Sequence, residues 1–125
     1  MDLLLQSFIT MIVMLAIDLP VIKYVIQPAM QRTVGGLMAK KPDALAGLVF
    51  YLGYTPIVTF LSQQGSDSLA DVVLRGLLLG LAAYGTYEFT NKAVMKGWTY
   101  RLAIADTLWG GVLTAVGVSV AYWAI

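Results

Sequence analysis

Four long apolar stretches constrain the fold of this chain more than any other feature of its sequence. An α-helix rises ~1.5 Å per residue, so about 20 mostly apolar residues are needed to cross the hydrocarbon core of a bilayer. The four stretches are residues 3–26, 44–61, 69–91 and 102–125. They are too long for strands and lack the alternation of polar and apolar residues that membrane β-barrels show. The sequence therefore predicts an all-α fold, an integral membrane four-helix bundle formed by residues 1–125 as a single transmembrane domain.

The composition supports a membrane protein and excludes several kinds of site. Only 12% of the residues are charged, whereas soluble domains carry about 25%. Cysteine and histidine are both absent, which removes disulfides and the usual ligands of zinc and haem. Histidine is also the usual general base near neutral pH. We therefore expect no metal, no cofactor and no enzymatic activity. The net charge of +1, without a basic block, argues against a nucleic-acid partner.

The basic residues indicate how the four stretches are oriented. Lysine and arginine concentrate in the connections 27–43 and 91–101, whereas the link 62–68 has none. By the positive-inside rule, both basic connections face the cytoplasm or the equivalent compartment, and both termini face the opposite side. We expect the membrane to be a bacterial inner membrane or the inner membrane of an organelle. Part of the first basic connection could form a short helix in the interface.

Several polar residues are predicted to lie in the half of the membrane nearer these basic connections. Asp18 stands about two turns before the end of the first stretch, and Glu88 about one turn before the end of the third. Asp106 follows the start of the fourth by about one turn. A charge in the hydrocarbon region costs at least ~2.5–3.5 kcal/mol, so such groups turn inward and find partners such as lysines, hydroxyls or each other. The predicted polar cluster contains Asp18, Tyr51, Tyr54, Tyr84, Glu88, Asn91, Asp106 and Trp109.

The role of this cluster has two interpretations at the level of sequence. Intramembrane ionisable residues commonly mark ion or proton pathways. Buried polar groups can equally fix the register of packed helices and contribute nothing else. Glu88 and Asp106 could also anchor the helices at the interface, beside Lys92 and Arg101.

Other residues indicate helix packing and membrane interfaces. Small residues spaced by four let helices approach closely, and such pairs are formed by Gly76 with Gly80 and by Gly111 with Ala115. The contact could lie within this chain or with another chain. Aromatic residues near the ends of the stretches fit belts at the two interfaces; they are Trp98, Tyr100, Trp109, Tyr122 and Trp123.

Three runs, AYGTYEFTN, KGW and ADTLWGG, carry a family resemblance. They are similar to the small predicted membrane proteins grouped as domain of unknown function 2177. That pattern also has an aspartate in the first helix and a Phe-Tyr-x-x-Tyr element in the second. The matching positions are Asp18, Phe50, Tyr51, Tyr54, Tyr84 to Asn91, Lys96 to Trp98, Asp106, Trp109 and Gly110.

The resemblance covers nearly the whole chain and implies a four-helix integral membrane protein without a known activity. Two positions depart from the pattern. Glu88 stands where the family usually has aspartate, and Pro20 stands where it usually has a bulky residue.

Three functional hypotheses follow from the sequence. The first is a non-catalytic accessory or structural subunit of a larger membrane complex, in contact with lipids and with other subunits or a second copy. The alternative is an oligomeric transporter of protons or a small solute that uses the carboxylate cluster. A membrane enzyme that acts on lipids is disfavoured, because the sequence has no His, no Cys and no nucleophile–base arrangement.

Overall fold

The structure, a computed structural model, describes residues 2–124 and contains no strand within them. Its helices are α1 (Leu3–Val21), α2 (Gln27–Val34), α3 (Ala44–Gln63), α4 (Leu69–Val94) and α5 (Tyr100–Ala124). Four helical segments are long and apolar enough to cross a membrane, the first of them running from Leu3 to Leu37. The all-α membrane fold predicted from the sequence is therefore confirmed.

Each spanning helix begins directly after a polar residue that caps it. The Asp2 carboxylate accepts from the amide of α1, and the Asp43 carboxylate accepts from two amides of α3. Ser68 and Thr99 cap α4 and α5 with their hydroxyls. Such caps satisfy backbone N–H groups that have no partner inside the helix. They place the start of each span within a residue or two of the position that the hydropathy indicates.

The first spanning segment is longer and less regular than its sequence indicates. A π-helical turn, Ile22–Ile26, follows α1, and the Gln27 amide bonds to the Ile22 carbonyl, five residues back. The helix then continues through α2 and a short 3₁₀ turn, Gly35–Leu37. Part of the connection 27–43 is thus helical and continuous with the first span.

Small residues bring α4 and α5 into close contact along the bundle. A Cβ added at Gly76 would lie 2.9 Å from the Ala115 Cα, and one at Gly80 only 2.3 Å from the Gly110 carbonyl oxygen and 2.7 Å from the Gly111 Cα. All four residues predicted for helix packing therefore lie at one contact inside the chain. Helix α5 is the centre of the bundle and holds the largest share of its buried residues.

Two contacts fix which segments meet at each end of the bundle. The Gln6 side-chain amide donates to the Ala121 carbonyl at 3.4 Å, so the start of α1 lies beside the end of α5. At the other end, Gly97 lies so close to the Thr33 carbonyl that a Cβ there would approach it to 2.8 Å. The two basic connections therefore pack against each other. Which side of the membrane they face stays a prediction.

Candidate functional site

The interior of the bundle is unusually polar for a protein whose surface is apolar. Among residues 2–124, ten polar or charged side chains are buried beside twelve hydrophobic ones. Large hydrophobic side chains lie instead on the outer surface of every spanning helix. The buried polar residues are Gln6, Ser7, Thr10, Asp18, Thr55, Thr59, Ser62, Glu88, Asp106 and Thr114.

The first carboxyl centre is formed around Asp18 of α1, which is 5% exposed. One carboxylate oxygen accepts a hydrogen bond from the Tyr51 hydroxyl of α3. The other accepts from the Trp109 indole N–H of α5 at 2.9 Å. Both oxygens thus face donors, which suits an ionised carboxylate, because that group only accepts hydrogen bonds. We call Asp18, Tyr51 and Trp109 the Asp18 centre; it joins three helices.

Two further tyrosines of the predicted cluster flank the Asp18 centre. The Tyr84 ring covers Gly110, where a Cβ would come within 2.0 Å of the ring, so only glycine leaves room for it. The Tyr54 ring stacks on Phe50 at 4.9 Å and meets Tyr84 edge-on at 6.2 Å. Its hydroxyl bonds to the Thr114 hydroxyl at 2.7 Å. Tyr54 and Tyr84 therefore form an aromatic wall next to the centre.

The second carboxyl centre lies nearer the basic connections. Glu88 of α4 is 2% exposed and accepts a hydrogen bond from the Trp98 indole N–H at 2.9 Å. The Asp106 carboxyl of α5 is a close neighbour of Glu88 and is 8% exposed. A hydrogen bond between two carboxyl groups requires one shared proton, because a carboxylate has no donor of its own. We call Glu88 and Asp106 the carboxyl pair.

The structure thus brings the predicted residues together as two centres rather than one. Within residues 2–124, the Asn91 side chain makes no hydrogen bond to either centre, and it lines a groove at the basic end together with Trp98. The expected lysine partners are placed elsewhere: the Lys92 ammonium lies 4.5 Å over the Tyr100 ring, and Lys23 lies 5.3 Å over Tyr24. The carboxyl groups are held mainly by aromatic donors.

Trp98 is more buried than its predicted place in an aromatic belt indicates. It was expected in an aromatic belt at the interface, yet it is only 4% exposed and donates to Glu88. The turn that carries it includes Gly97 with φ of 92°, a conformation that favours glycine. The run KGW, which carried part of the family resemblance, was the available signal for this residue.

Buried hydroxyls farther from the basic end were also missed. Thr10 of α1 and Thr59 of α3 bond to each other at 2.8 Å, and both are fully buried. Each hydroxyl also lies within hydrogen-bonding distance of a carbonyl one turn back in its own helix. Threonines in membrane helices often make such local bonds, so their sequence positions alone gave no signal of a contact between helices.

Within residues 2–124, no group of three or more His, Cys, Asp or Glu residues is placed to hold a metal ion. The chemistry that the site offers is therefore that of carboxyl, phenol, indole and hydroxyl groups, all of which bind or exchange protons or donate hydrogen bonds.

Comparison with known proteins places the chain in a family. Residues 3–123 match the family described as "Predicted membrane protein (DUF2177)". The chain belongs to this family. The runs that carried the resemblance contribute Glu88, Trp98, Asp106 and Trp109, and so provide most of both carboxyl centres. No curated protein and no solved structure matches the chain.

Proposed function

We propose that this DUF2177 member is a non-catalytic membrane protein that carries protons through its bundle, with the Asp18 centre and the carboxyl pair as the proton-binding groups. The observation that supports the proposal is the buried polar column. On α5 alone, Asp106 and Thr114 face the interior, and the Ala121 carbonyl accepts from Gln6. From Asp106 to Ala121 the helix covers about 22 Å, most of the hydrocarbon thickness.

The order of the polar groups along the bundle suits a relay. The carboxyl pair lies closest to the basic connections, and the Asp18 centre follows it along α5. Beyond these come the hydroxyl pair of Tyr54 and Thr114 and then that of Thr10 and Thr59. Carboxyl and hydroxyl groups both donate and accept, which a chain of proton transfers requires. Ionisable groups inside a membrane are costly, and a functional role is their default explanation.

Proton flux into liposomes tests this function directly. The purified chain is reconstituted with a pH-sensitive dye inside the vesicles, and a potassium gradient with valinomycin sets the potential. We expect flux from the wild type and its loss in Asp18→Asn. Asp67→Asn, which changes an exposed carboxylate in the link 62–68, serves as the matched control and should retain the flux. A wild type with no flux above empty liposomes would exclude the relay.

A second candidate function, an accessory subunit of a larger complex, has support from α3. Gly53 has no atom within 4 Å of its Cβ position, and Ala46, seven residues earlier, is exposed on the same face. Small residues at a helix surface allow a neighbouring helix to approach closely. By contrast, Gly76 and Gly80 are already covered inside the chain.

Purification in mild detergent distinguishes the two functions. An accessory subunit should bring larger partners with it at fixed stoichiometry, and Gly53→Leu should release them while leaving the melting temperature unchanged. Gly36→Leu offers a control, because that position is also open but lies in the basic connection. Recovery of the chain alone, with proton flux in liposomes, would favour the relay.

A further inference from the structure

A groove of about 580 Å³ lies at the end of the bundle where the two basic connections meet. Val34 and Trp98 in its wall belong to a buried hydrophobic cluster, and Met30 and Met95 pack against them. Methionine and tryptophan present flexible or broad apolar surfaces that accommodate hydrocarbon chains. One part of the groove is therefore suited to an acyl chain.

The rest of the groove is polar and carries a positive charge. Lys40 lines it, together with Gln27, Gln31 and Asn91, whose side chains carry amide groups. An ammonium group and amide N–H groups are donors that match the oxygens of a phosphate ester. The groove thus combines an apolar wall with a rim that favours an anion.

The surface around the groove is positively charged, like the rim of the groove itself. Seven of the eight Lys and Arg residues of the chain fall in residues 23–41 and 92–101, the segments that frame this groove. The exposed carboxylate in those connections is Asp43. Basic side chains close to a membrane attract anionic lipid headgroups, each by a factor of about five.

The depth of the groove fits the boundary between headgroups and acyl chains. Helix α4 has 26 residues and is therefore about 39 Å long, which exceeds the ~30 Å hydrocarbon core. The helix is thus long enough for its last turn, which contributes Asn91 to the groove, to reach the interfacial region. A ligand bound here can keep its charged end in water and its hydrocarbon in the membrane.

We propose that this groove binds one anionic phospholipid, with the phosphate at Lys40 and an acyl chain along Met30 and Met95. The inference does not depend on proton transport, since its evidence is the shape and charge of the groove.

Lipid titration of the full chain tests this proposal. The protein is purified in mild detergent and titrated with phosphatidylglycerol or phosphatidylcholine of the same acyl chains, and bound lipid is counted by native mass spectrometry. We expect phosphatidylglycerol to bind at least fivefold more tightly than phosphatidylcholine. Lys40→Gln should reduce that preference about fivefold. Arg101→Gln removes an exposed charge at the same end but outside the groove wall, and should leave most of the preference intact.

A second variant separates the acyl site from simple charge attraction. Met30→Gln should weaken binding of both lipids and leave the preference between them unchanged. Glycerophosphate, which has the headgroup charge without acyl chains, should not displace the lipid. Equal affinity for the two lipids, equal losses in Lys40→Gln and Arg101→Gln, or displacement by glycerophosphate would each overturn the proposal. So would a dimer without bound lipid, because a second copy would then occupy the groove.

Discussion

The two carboxyl centres differ in the partners that the fold provides. Asp18 meets two donors, Tyr51 and Trp109, and no acceptor among its hydrogen-bond partners. Glu88 meets one donor, Trp98, and one further carboxyl, Asp106. The first arrangement stabilises a charged carboxylate, whereas the second requires a proton between two oxygens. Carboxyl groups thus have donors at both oxygens in one centre and a second carboxyl as a neighbour in the other.

The two carboxyl centres also differ in the helices that they join. The Asp18 centre connects α1, α3 and α5, segments that are far apart in the chain. The carboxyl pair and Trp98 belong to α4, α5 and the short turn between them. The first centre therefore depends on the assembly of the whole bundle, and the second depends mainly on one helical hairpin.

Replacing Asp18 should produce the largest effect, because it accepts from the buried Tyr51 hydroxyl and from the partly buried Trp109 indole N–H. In Asp18→Asn the amide oxygen can accept from the Trp109 N–H, while the amide N–H₂ can donate only to the Tyr51 oxygen, which leaves the Tyr51 proton without its acceptor. One buried donor without a partner costs about 1–3 kcal/mol, and the misplaced amide adds to that, so we expect a loss of about 2–3 kcal/mol. Unfolding in detergent, followed by circular dichroism, measures it. Asp67→Asn should unfold like the wild type; a similar curve for Asp18→Asn would show that the two donors find other partners.

Gly80→Ala should have the next largest effect, since it tests whether the hairpin holds the carboxyl pair. The added methyl group would lie 2.3 Å from the Gly110 carbonyl oxygen, a backbone atom that cannot move alone. Helices α4 and α5 would have to separate, at a cost of about 2 kcal/mol. Gly47→Ala is the matched control, because nothing lies within 4 Å of its Cβ; it should keep or raise the melting temperature. Equal melting of both variants would contradict the close contact.

The sequence predicted the helices and the order of their polar residues along the bundle, because both follow from hydropathy and from the fixed rise of a helix. It did not predict the direction in which each polar residue faces its neighbours. Asp18, Glu88 and Asp106 were placed in one cluster, since all three lie in the same half of the membrane. Their division into two centres depends on which helices are adjacent, and hydropathy and helical spacing do not indicate that adjacency.

Trp98 shows a second limit of prediction from the sequence. Tryptophan near the end of a span is typical of an interfacial belt, and the local sequence supports that interpretation. Its burial comes from the packing of the turn around Gly97 against Thr33 of the other basic connection. This contact joins residues that are distant in sequence, so no local pattern announces it.

The hydroxyl pair of Tyr54 and Thr114 provides an uncharged comparison with the two carboxyl centres. Tyr54→Phe removes the 2.7 Å bond to Thr114 and keeps the stack on Phe50. Hydrogen bonds between membrane helices contribute about 0.6 kcal/mol on average, and we expect a loss of that size in the same unfolding assay. Tyr100→Phe, at an exposed position, should cause no loss. A cost above ~2 kcal/mol for Tyr54→Phe would mean that the hydroxyl pair matters as much as a carboxyl centre.

Glu88→Gln should have the smallest effect on stability, and it sharpens the comparison most. The glutamine carbonyl can accept from Trp98 as Glu88 does, and its N–H₂ can donate to Asp106, so the variant replaces the shared proton with a covalent donor. We expect a change below ~0.5 kcal/mol, against the 2–3 kcal/mol expected for the same acid-to-amide change at Asp18. If the pair carries protons, the folded Glu88→Gln protein should nevertheless lose flux in liposomes, because an amide does not exchange its proton at this site. A stable variant with full flux would leave the carboxyl pair a structural role only, and a variant as unstable as Asp18→Asn would show that Glu88 is held as a charge, like Asp18.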